Sequence, residues 1–269
     1  FFLDATPTNC VQLRNLVLSA FPRNMRLPDP FTPNLKIDLL PEISQEPTNA
    51  AQFVLKDPAF NQSNVKVTID NYLSSKNIAN ASQVANQVRD DILLPGQKAM
   101  QTGTRYDVPM MNALVLYVGV NAIVANQNAR NSVLNSSSME LLQKLCDESL
   151  DAEGRYYFMS AVANQLRYPN SHTHYFSCVT LCLFQETKSE LVREQITRVL
   201  LERLVVNRPH PWGLLVTFVE LIKNPRYNFW AHGFTRCAPE IERLFESVAR
   251  SCVKSPDEGG EAGQGQQQD

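Results

Sequence analysis

Between Asp107 and Arg130 the sequence "DVPMMNALVLYVGVNAIVANQNAR" carries no charge. A stretch this apolar has two destinations, a bilayer or the interior of a protein. A membrane span needs about 20 consecutive, predominantly apolar residues. Pro109, Asn112, Gly119, Asn121 and Asn126 cut the apolar run below that length. The stretch therefore reads as a core helix, one that other helices must surround.

Glycine points the same way. Of the ten glycines, Gly259, Gly260, Gly263 and Gly265 lie in the C-terminal tail, leaving Gly96, Gly103, Gly119, Gly154, Gly213 and Gly233 for the rest. Sandwiches and barrels need many tight turns, often with glycine. Long periodic apolar stretches with so few glycines predict an all-α chain. The expected helices run over 9–20, three amphipathic segments within 45–104, the uncharged stretch, and 138–150, 152–167, 171–186, 189–207, 210–223 and 239–253. Ser137 with Glu140 and Thr187 with Glu190 have the spacing of capping boxes. Connections of two to five residues place successive helices side by side and antiparallel. In "QITRVLLERLVV" and "GLLVTFVELI" apolar residues cover more than one face, as in helices that sit between layers. The architecture expected is HEAT-like, stacked antiparallel helical pairs, although no fixed-period repeat is visible in the sequence.

The helical pattern is interrupted once, by Pro22, Pro28, Pro30, Pro33 and Pro41. Proline at that density forbids a helix. Phe21, Met25, Leu27, Phe31, Leu35, Ile37, Leu39 and Leu40 make the same segment too apolar for a solvated linker. It is expected to run extended over the surface of helices. The organisation is then a single scaffold domain over 1–253, with a first helix at 9–20, an extended segment at 21–43 and helical repeats at 44–253. The tail 254–269, "KSPDEGGEAGQGQQQD", lacks an apolar anchor and is expected to be disordered. The chain opens on "FFLDATPTNC" without a methionine and reads as part of a longer protein.

One stretch invites a catalytic reading. "YPNSHTHYFSC" (168–178) is followed by Cys182, so His174, Cys178 and Cys182 fall in one row of a helix at i, i+4 and i+8. Zinc needs four ligands converging on one point. Positions i and i+8 are about 12 Å apart along a helix, and His172 and His174 point about 200° apart. His210, His232 and Cys237 are scattered and supply no second half-site. A Cys178–His174 nucleophile pair lacks an orienting third group. Cys178 and Cys182 are expected as small core residues and the histidines as polar groups at a helix start. No metal, cofactor or catalytic residue is assigned. None of the six cysteines stands in a CxxC pair, and reduced thiols are expected. Phosphate-binding, dinucleotide and hydrolase motifs are missing from the sequence as well.

A nucleic-acid face is no better supported. The formal net charge is -2. Arg193, Arg198, Arg203 and Arg208 recur every five residues, about 140° apart on a helix, and so make no stripe. What remains is aromatic surface: Trp212 in "NRPHPWGLL", and Tyr227, Phe229, Trp230 and Phe234 in "KNPRYNFWAHGF". Such residues more often serve the core, but they also build pockets for linear peptides.

At these residues a family resemblance emerges. The blocks "LVLSAFPRNMRLPDPFTPNLKIDLLPEI", "NALVLYVG", "GRYYFMSAVANQLRYPNSHTHYFSC", "EQITRVLLERLVVNRPHPWGLLVTFVELIKNP" and "CAPEIERLF" resemble the C-terminal domain of the Not-one scaffold subunit of the Ccr–Not mRNA deadenylase complex, in its animal form. The resemblance covers 11–43 and about 105–250; residues 45–104 and the tail depart from it. It implies an all-helical scaffold domain without an active site, supporting mRNA deadenylation, decay and translational repression. The partners it implies are the Not-two and Not-three subunits, which are Not-box proteins, and short peptides of repressors such as Nanos. It implies no membrane and no direct nucleic-acid contact, and a cytoplasmic location including processing bodies, with the nucleus as a second compartment. The alternatives are a direct RNA-binding helical repeat and a Cys/His hydrolase. For partner contact the helix starts at 168–175 and 209–212 stand out, with Tyr168, His172, His174, Tyr175, His210 and Trp212 as expected anchors.

The apolar proline-rich segment has a measurable consequence. Burying one large side chain is worth about 1.5–3 kcal/mol, so several together rival the stability of a domain. Deleting residues 1–43 is expected to give insoluble protein or a markedly lower melting temperature. A truncated chain that melts like the parent would make the segment a passive linker.

Overall fold

The computed structural model describes residues 56–75, 78–127, 136–167, 171–206 and 210–236, with Arg243 and Phe245 beyond them. The expected helix at 9–20, the extended segment 21–43, most of the helix at 239–253 and the tail 254–269 lie outside the described residues.

Among the described residues the fold is helical, and the only strand-like pairing is an isolated bridge between Leu93 and Tyr106. A one-turn helix α1 (Pro58–Asn61) leads into α2 (Asn64–Ser75), α3 (Ala81–Ile92) and the short α4 (Gly96–Thr102). The uncharged stretch is α5 (Val108–Gln127). After it come α6 (Ser137–Lys144), α7 (Ala152–Ala163), α8 (Ser171–Glu186), α9 (Glu190–Val206) and α10 (Trp212–Lys223), and then three short 3-10 turns ending at Arg236.

The amphipathic period does what it should in the first helices. In α3, Ala81, Ala85, Val88 and Ile92 are buried, a single stripe with helical spacing. In α2 the stripe is Val65, Ile69 and Tyr72. Helix α5 is different. It is long and apolar enough to cross a membrane by length and composition, yet α1, α2, α6, α7 and α8 all pack on it. Met111, Leu114, Val115 and Val118 are fully buried. Two of its half-buried polar side chains bond the helix's own backbone. Asn112 Nδ2 donates to Val108 O (2.8 Å) and Asn121 Nδ2 to Tyr117 O (2.9 Å), each to the carbonyl one turn back. The C-terminal half is layered as stacked pairs. Helix α7 packs on α5 and α9, α8 packs on α5 and α10, and chain neighbours touch as well. Contact with the helix two places along is the signature of such stacking.

Three of the few glycines lie where helices come too close for a side chain. A Cβ on Gly119 of α5 would fall 2.3 Å from the ring of Phe176 on α8. On Gly154 it would fall 2.5 Å from the Tyr106 ring, and on Gly213 2.2 Å from Thr173.

The helix ends correct the expected boundaries. Helix α6 is capped by Ser136, whose hydroxyl accepts from Met139 N (3.1 Å), and not by Ser137 with Glu140. A run of three serines leaves the register open, and the burial of Ser138 and Met139 selects it. Thr187 accepts from Ser189 N (3.2 Å) in a turn preceding α9, and Glu190 pairs with Arg193 (3.0 Å) instead of closing a box. The helix expected over 138–150 ends as a π turn at Leu145–Ser149. Arg155 holds that turn, donating from Nε to Cys146 O (2.7 Å) and from NH2 to Leu150 O (2.9 Å). Helix α7 stops at Ala163, not 167, and α10 begins at Trp212 after Pro211.

The contact between Gly119 and Phe176 can be tested by paired substitutions. Overpacking a rigid core contact costs about 1–3 kcal/mol, and Gly119→Ala is expected to lose that much in denaturant titration. Gly96→Ala, with nothing within 4 Å of its Cβ, is expected to be neutral or to gain up to about 1 kcal/mol. Equal effects would mean that the α5–α8 contact is loose.

Candidate functional site

The two helix starts singled out from the sequence meet in the fold. Gly213 N–H, in the first turn of α10, donates to Arg167 O just before α8 (2.6 Å). Thr173, buried in the first turn of α8, ties the same loop: its Oγ1 donates to Gln165 O (3.1 Å) and accepts from Arg167 N (3.2 Å). The bare backbone of Gly213 lets Thr173 sit against it. Arg167 Nε in turn donates to Asn164 O at the end of α7 (2.7 Å). An orphan donor of α10 and carbonyls at and beyond the end of α7 are thus satisfied, with the Thr173 hydroxyl of α8 bracing the same loop. Thr173, Arg167 and Gly213 were not foreseen as site residues. The signal available was Gly213 itself, an isolated glycine in an otherwise apolar helix, where close backbone approach is the usual reason.

The junction presents some of the expected anchors and encloses others. Tyr168 lies outside the described residues. His174 is exposed on α8, and His210 and Trp212 are half-buried at the start of α10. His172 and Tyr175, expected at an exposed helix start, are instead buried, 7% and 3% exposed. Both lie on the side of α8 that faces the core, Tyr175 edge-on to Phe176 at 5.2 Å. Burial pushes the Tyr175 hydroxyl pKa up, and the hydroxyl has no hydrogen-bond partner. Trp212 Nε1 is likewise enclosed without an acceptor.

The His/Cys row forms on one face of α8 but does not build a reactive centre. Cys178 Sγ lies 3.9 Å from His174 Nε2. Cys178 and Cys182 are half-buried, short of the full burial expected of core residues, whereas Cys146 is fully buried. Burial pushes all three thiols up, Cys182 to about 11 and Cys146 to about 12. A nucleophilic or metal-binding cysteine needs the opposite shift. Among the described residues no group of three or more His, Cys, Asp or Glu is placed to hold a metal ion.

The arginines of α9 are committed to the protein. Arg193 donates from Nε to Phe184 O (3.1 Å) and from NH2 to Thr187 O (2.5 Å), closing the C-terminus of α8. Arg203 reaches Ser160 O (3.1 Å), and Arg198 pairs with Glu202 (2.8 Å). Arg208 lies outside the described residues. A cleft of about 350 Å³ between the end of α6 and the α8–α9 turn is lined by Lys144, Asp147, Glu148, Glu186, Lys188 and Ser189 among others. Its size suits a small ligand, but its lining lacks the apolar walls that enclose one.

The comparisons with known proteins agree on one family. Residues 1–249 match the family described as CCR4-Not complex component, Not1. The chain is 51% identical over 260 residues to the CCR4-NOT transcription complex subunit let-711 of Caenorhabditis elegans, covering 93% of this chain and 9% of that protein. It is 38% identical over 250 residues to the general negative regulator of transcription subunit 1 of Schizosaccharomyces pombe, covering 90% and 11%. Among solved structures it resembles the NOT1 superfamily homology domain from Chaetomium thermophilum, with TM-score 0.62, 31% identity, and 91% of this chain and 47% of that one covered. A Not1 C-terminal domain in complex with Not4 matches with the same TM-score at 27% identity, covering 88% and 47%. The chain thus spans about a tenth of these curated relatives and about half of these solved chains.

The enclosed Tyr175 hydroxyl separates packing from hydrogen bonding. Tyr175→Phe is expected to keep or slightly raise the melting temperature, because it removes a buried polar group without a partner. Tyr175→Ala is expected to cost about 3–5 kcal/mol, the usual loss for a buried ring. A loss above about 1 kcal/mol for Tyr175→Phe would show that the hydroxyl is bonded in solution.

Proposed function

The chain belongs to the Not1 family of CCR4-Not complex components, and on that premise we propose that it is a non-catalytic docking module of that complex. Its role is to bind the Not-two and Not-three subunits and short peptides of RNA-bound repressors such as Nanos, and so to support mRNA deadenylation, decay and translational repression. A Not4-type subunit is a further partner, since a related Not1 C-terminal domain forms a complex with Not4. The proposed setting is the cytoplasm, processing bodies included, with the nucleus as a second compartment.

The observation that carries the reading is the junction of α7, α8 and α10. It is braced by Gly213 N–H to Arg167 O and by Thr173, and it leaves His174 exposed and His210 and Trp212 half-buried at its rim. A braced helix junction with a tryptophan at its edge suits an extended partner segment, because affinity then rests on a few aromatic anchors held without an ordering cost. The raised thiol pKa values and the committed arginines argue against the hydrolase and RNA-binding alternatives.

Co-purification with the C-terminal regions of the Not-two and Not-three subunits is the direct test. A stoichiometric complex is expected on size exclusion, and a chain that elutes alone would overturn the proposal. His210→Ala combined with Trp212→Ala is expected to cost about 1–2 kcal/mol or more of binding with a small change in melting temperature. Unchanged affinity would move the partner to another face.

A further inference from the structure

Helix α8 shares one property with α5: no aspartate, glutamate, lysine or arginine occurs between Arg167 and Glu186. Unlike α5, it keeps a whole face open. From His172 onward, residues 172–173, 175–176, 179–180 and 183–184 are buried. The rest, up to Gln185, are His174, Ser177, Cys178, Leu181, Cys182 and Gln185, with His174 exposed and the others half-buried. These six lie within about 140° of one another around the helix and form a second face. Their spacing, i, i+3, i+4, i+7, i+8 and i+11, is that of a seam between helices.

The open faces of α3 and α9 carry charge by contrast, Arg89, Asp90 and Asp91 on one and Glu194, Arg198 and Glu202 on the other. Ser177 Oγ accepts from Thr217 Oγ1 (2.8 Å), so α10 borders the α8 face on one side. His174, at the start of the face, belongs to the rim of the braced junction. Cys178 follows one turn on, with its Sγ 3.9 Å from His174 Nε2. Burial pushes the thiols of Cys178 and Cys182 up. They therefore stay protonated at neutral pH and act as small, weakly polar groups.

We propose that the open face of α8, from His174 to Gln185, is where a docking partner lays the apolar face of a helix. The inference rests on the docking role proposed above and names the surface and the partner chemistry for it. A face without charge suits the centre of a protein interface, where a covered and unpaired charge is costly. Ser177, Cys178 and Cys182 are small, so the face offers recesses for large side chains such as leucine and phenylalanine. A second copy of this chain would set small groups against small groups and lose those contacts. The period of the face makes the occupant a helix, whose anchors at i, i+3, i+4 and i+7 match it.

The test is alkylation of the full chain by N-ethylmaleimide, read for each cysteine by peptide mass spectrometry. In the free chain Cys178 and Cys182 are expected to label, and the fully buried Cys146 is expected not to. Adding the C-terminal regions of the Not-two and Not-three subunits is expected to suppress labelling of Cys178 and Cys182, with co-elution on size exclusion read in the same samples. Cys178→Arg is expected to weaken binding at least about tenfold, because the partner would cover a charge that reaches water in the free chain. Cys178→Ala, and Leu191→Arg on the exposed side of α9, are expected to leave affinity unchanged. Alanine substitutions in the partner that release the thiols are expected at large apolar residues three and four apart; a period of two would make the occupant a strand and overturn the helix. If the complex forms and both thiols label as before, the inference is overturned while the docking role stands. If no complex forms, the docking role fails and the inference with it. Thiols that resist labelling in the free monomer would mean that another part of this chain covers the face. Thiols protected in a dimer of the chain alone would make a second copy the occupant. Either result overturns the proposal.

Discussion

The fold depends on the need to keep α5 out of water. A helix with no charge along its length needs cover, and the described helices bury Met111, Leu114, Val115 and Val118 while Pro109, Val124 and Ala125 stay exposed. Helices α1, α2 and α6 cover one part of it and α7 and α8 another. Once α7 and α8 are committed to α5, α9 and α10 can only stack on their outer sides, which is what they do. The tolerance of this arrangement is small. Gly119 admits the Phe176 ring only because it has no side chain, and a buried interface packed at crystal density has no room to accommodate one.

Stacked helices generate many helix ends, and each end leaves backbone groups unpaired. In this chain long side chains close them. Arg155 holds the π turn after α6, Arg193 the end of α8, Arg167 the end of α7, and Arg203 reaches Ser160 O in α7. A guanidinium suits the task because its donors form a rigid fork and remain charged. The consequence reaches the surface. Arginines whose donors are spent on carbonyls are less available to a phosphate backbone, and among the described residues Arg155, Arg193 and Arg203 are spent in this way.

The docking role proposed for this chain differs from catalysis in what must be held still. No reacting atom has to be placed, but a partner segment needs a surface that costs nothing to order. The junction of α7, α8 and α10 meets that need through backbone contacts. The side chains that a partner could meet, His174, His210 and Trp212, sit at helix starts that Thr173 and Gly213 brace. Beyond α10 the buried rings of Phe184 and Phe218 pack on Phe229, which lies edge-on to Trp230.

The sequence by itself determined the helical class, the burial of the 108–127 stretch and the stacking of successive helices. Each of these follows from the period and length of apolar runs, which are local properties of the chain. Family membership was legible too, because the matching blocks are long. The tertiary structure decided the rest. The sequence placed Tyr175 and His172 at a helix start and so made them look accessible, but the side of α8 they occupy is the side covered by the core. Ser136 displaced Ser137 as the cap of α6 because burial of the next turn, not spacing, chose the register. That the loop before α8 meets the start of α10 could not be read from either segment, since the hydrogen bond from Gly213 N–H to Arg167 O joins residues far apart in sequence. Periodicity reports which side of a helix avoids water; which polar tip meets which carbonyl depends on where the other helices come to rest.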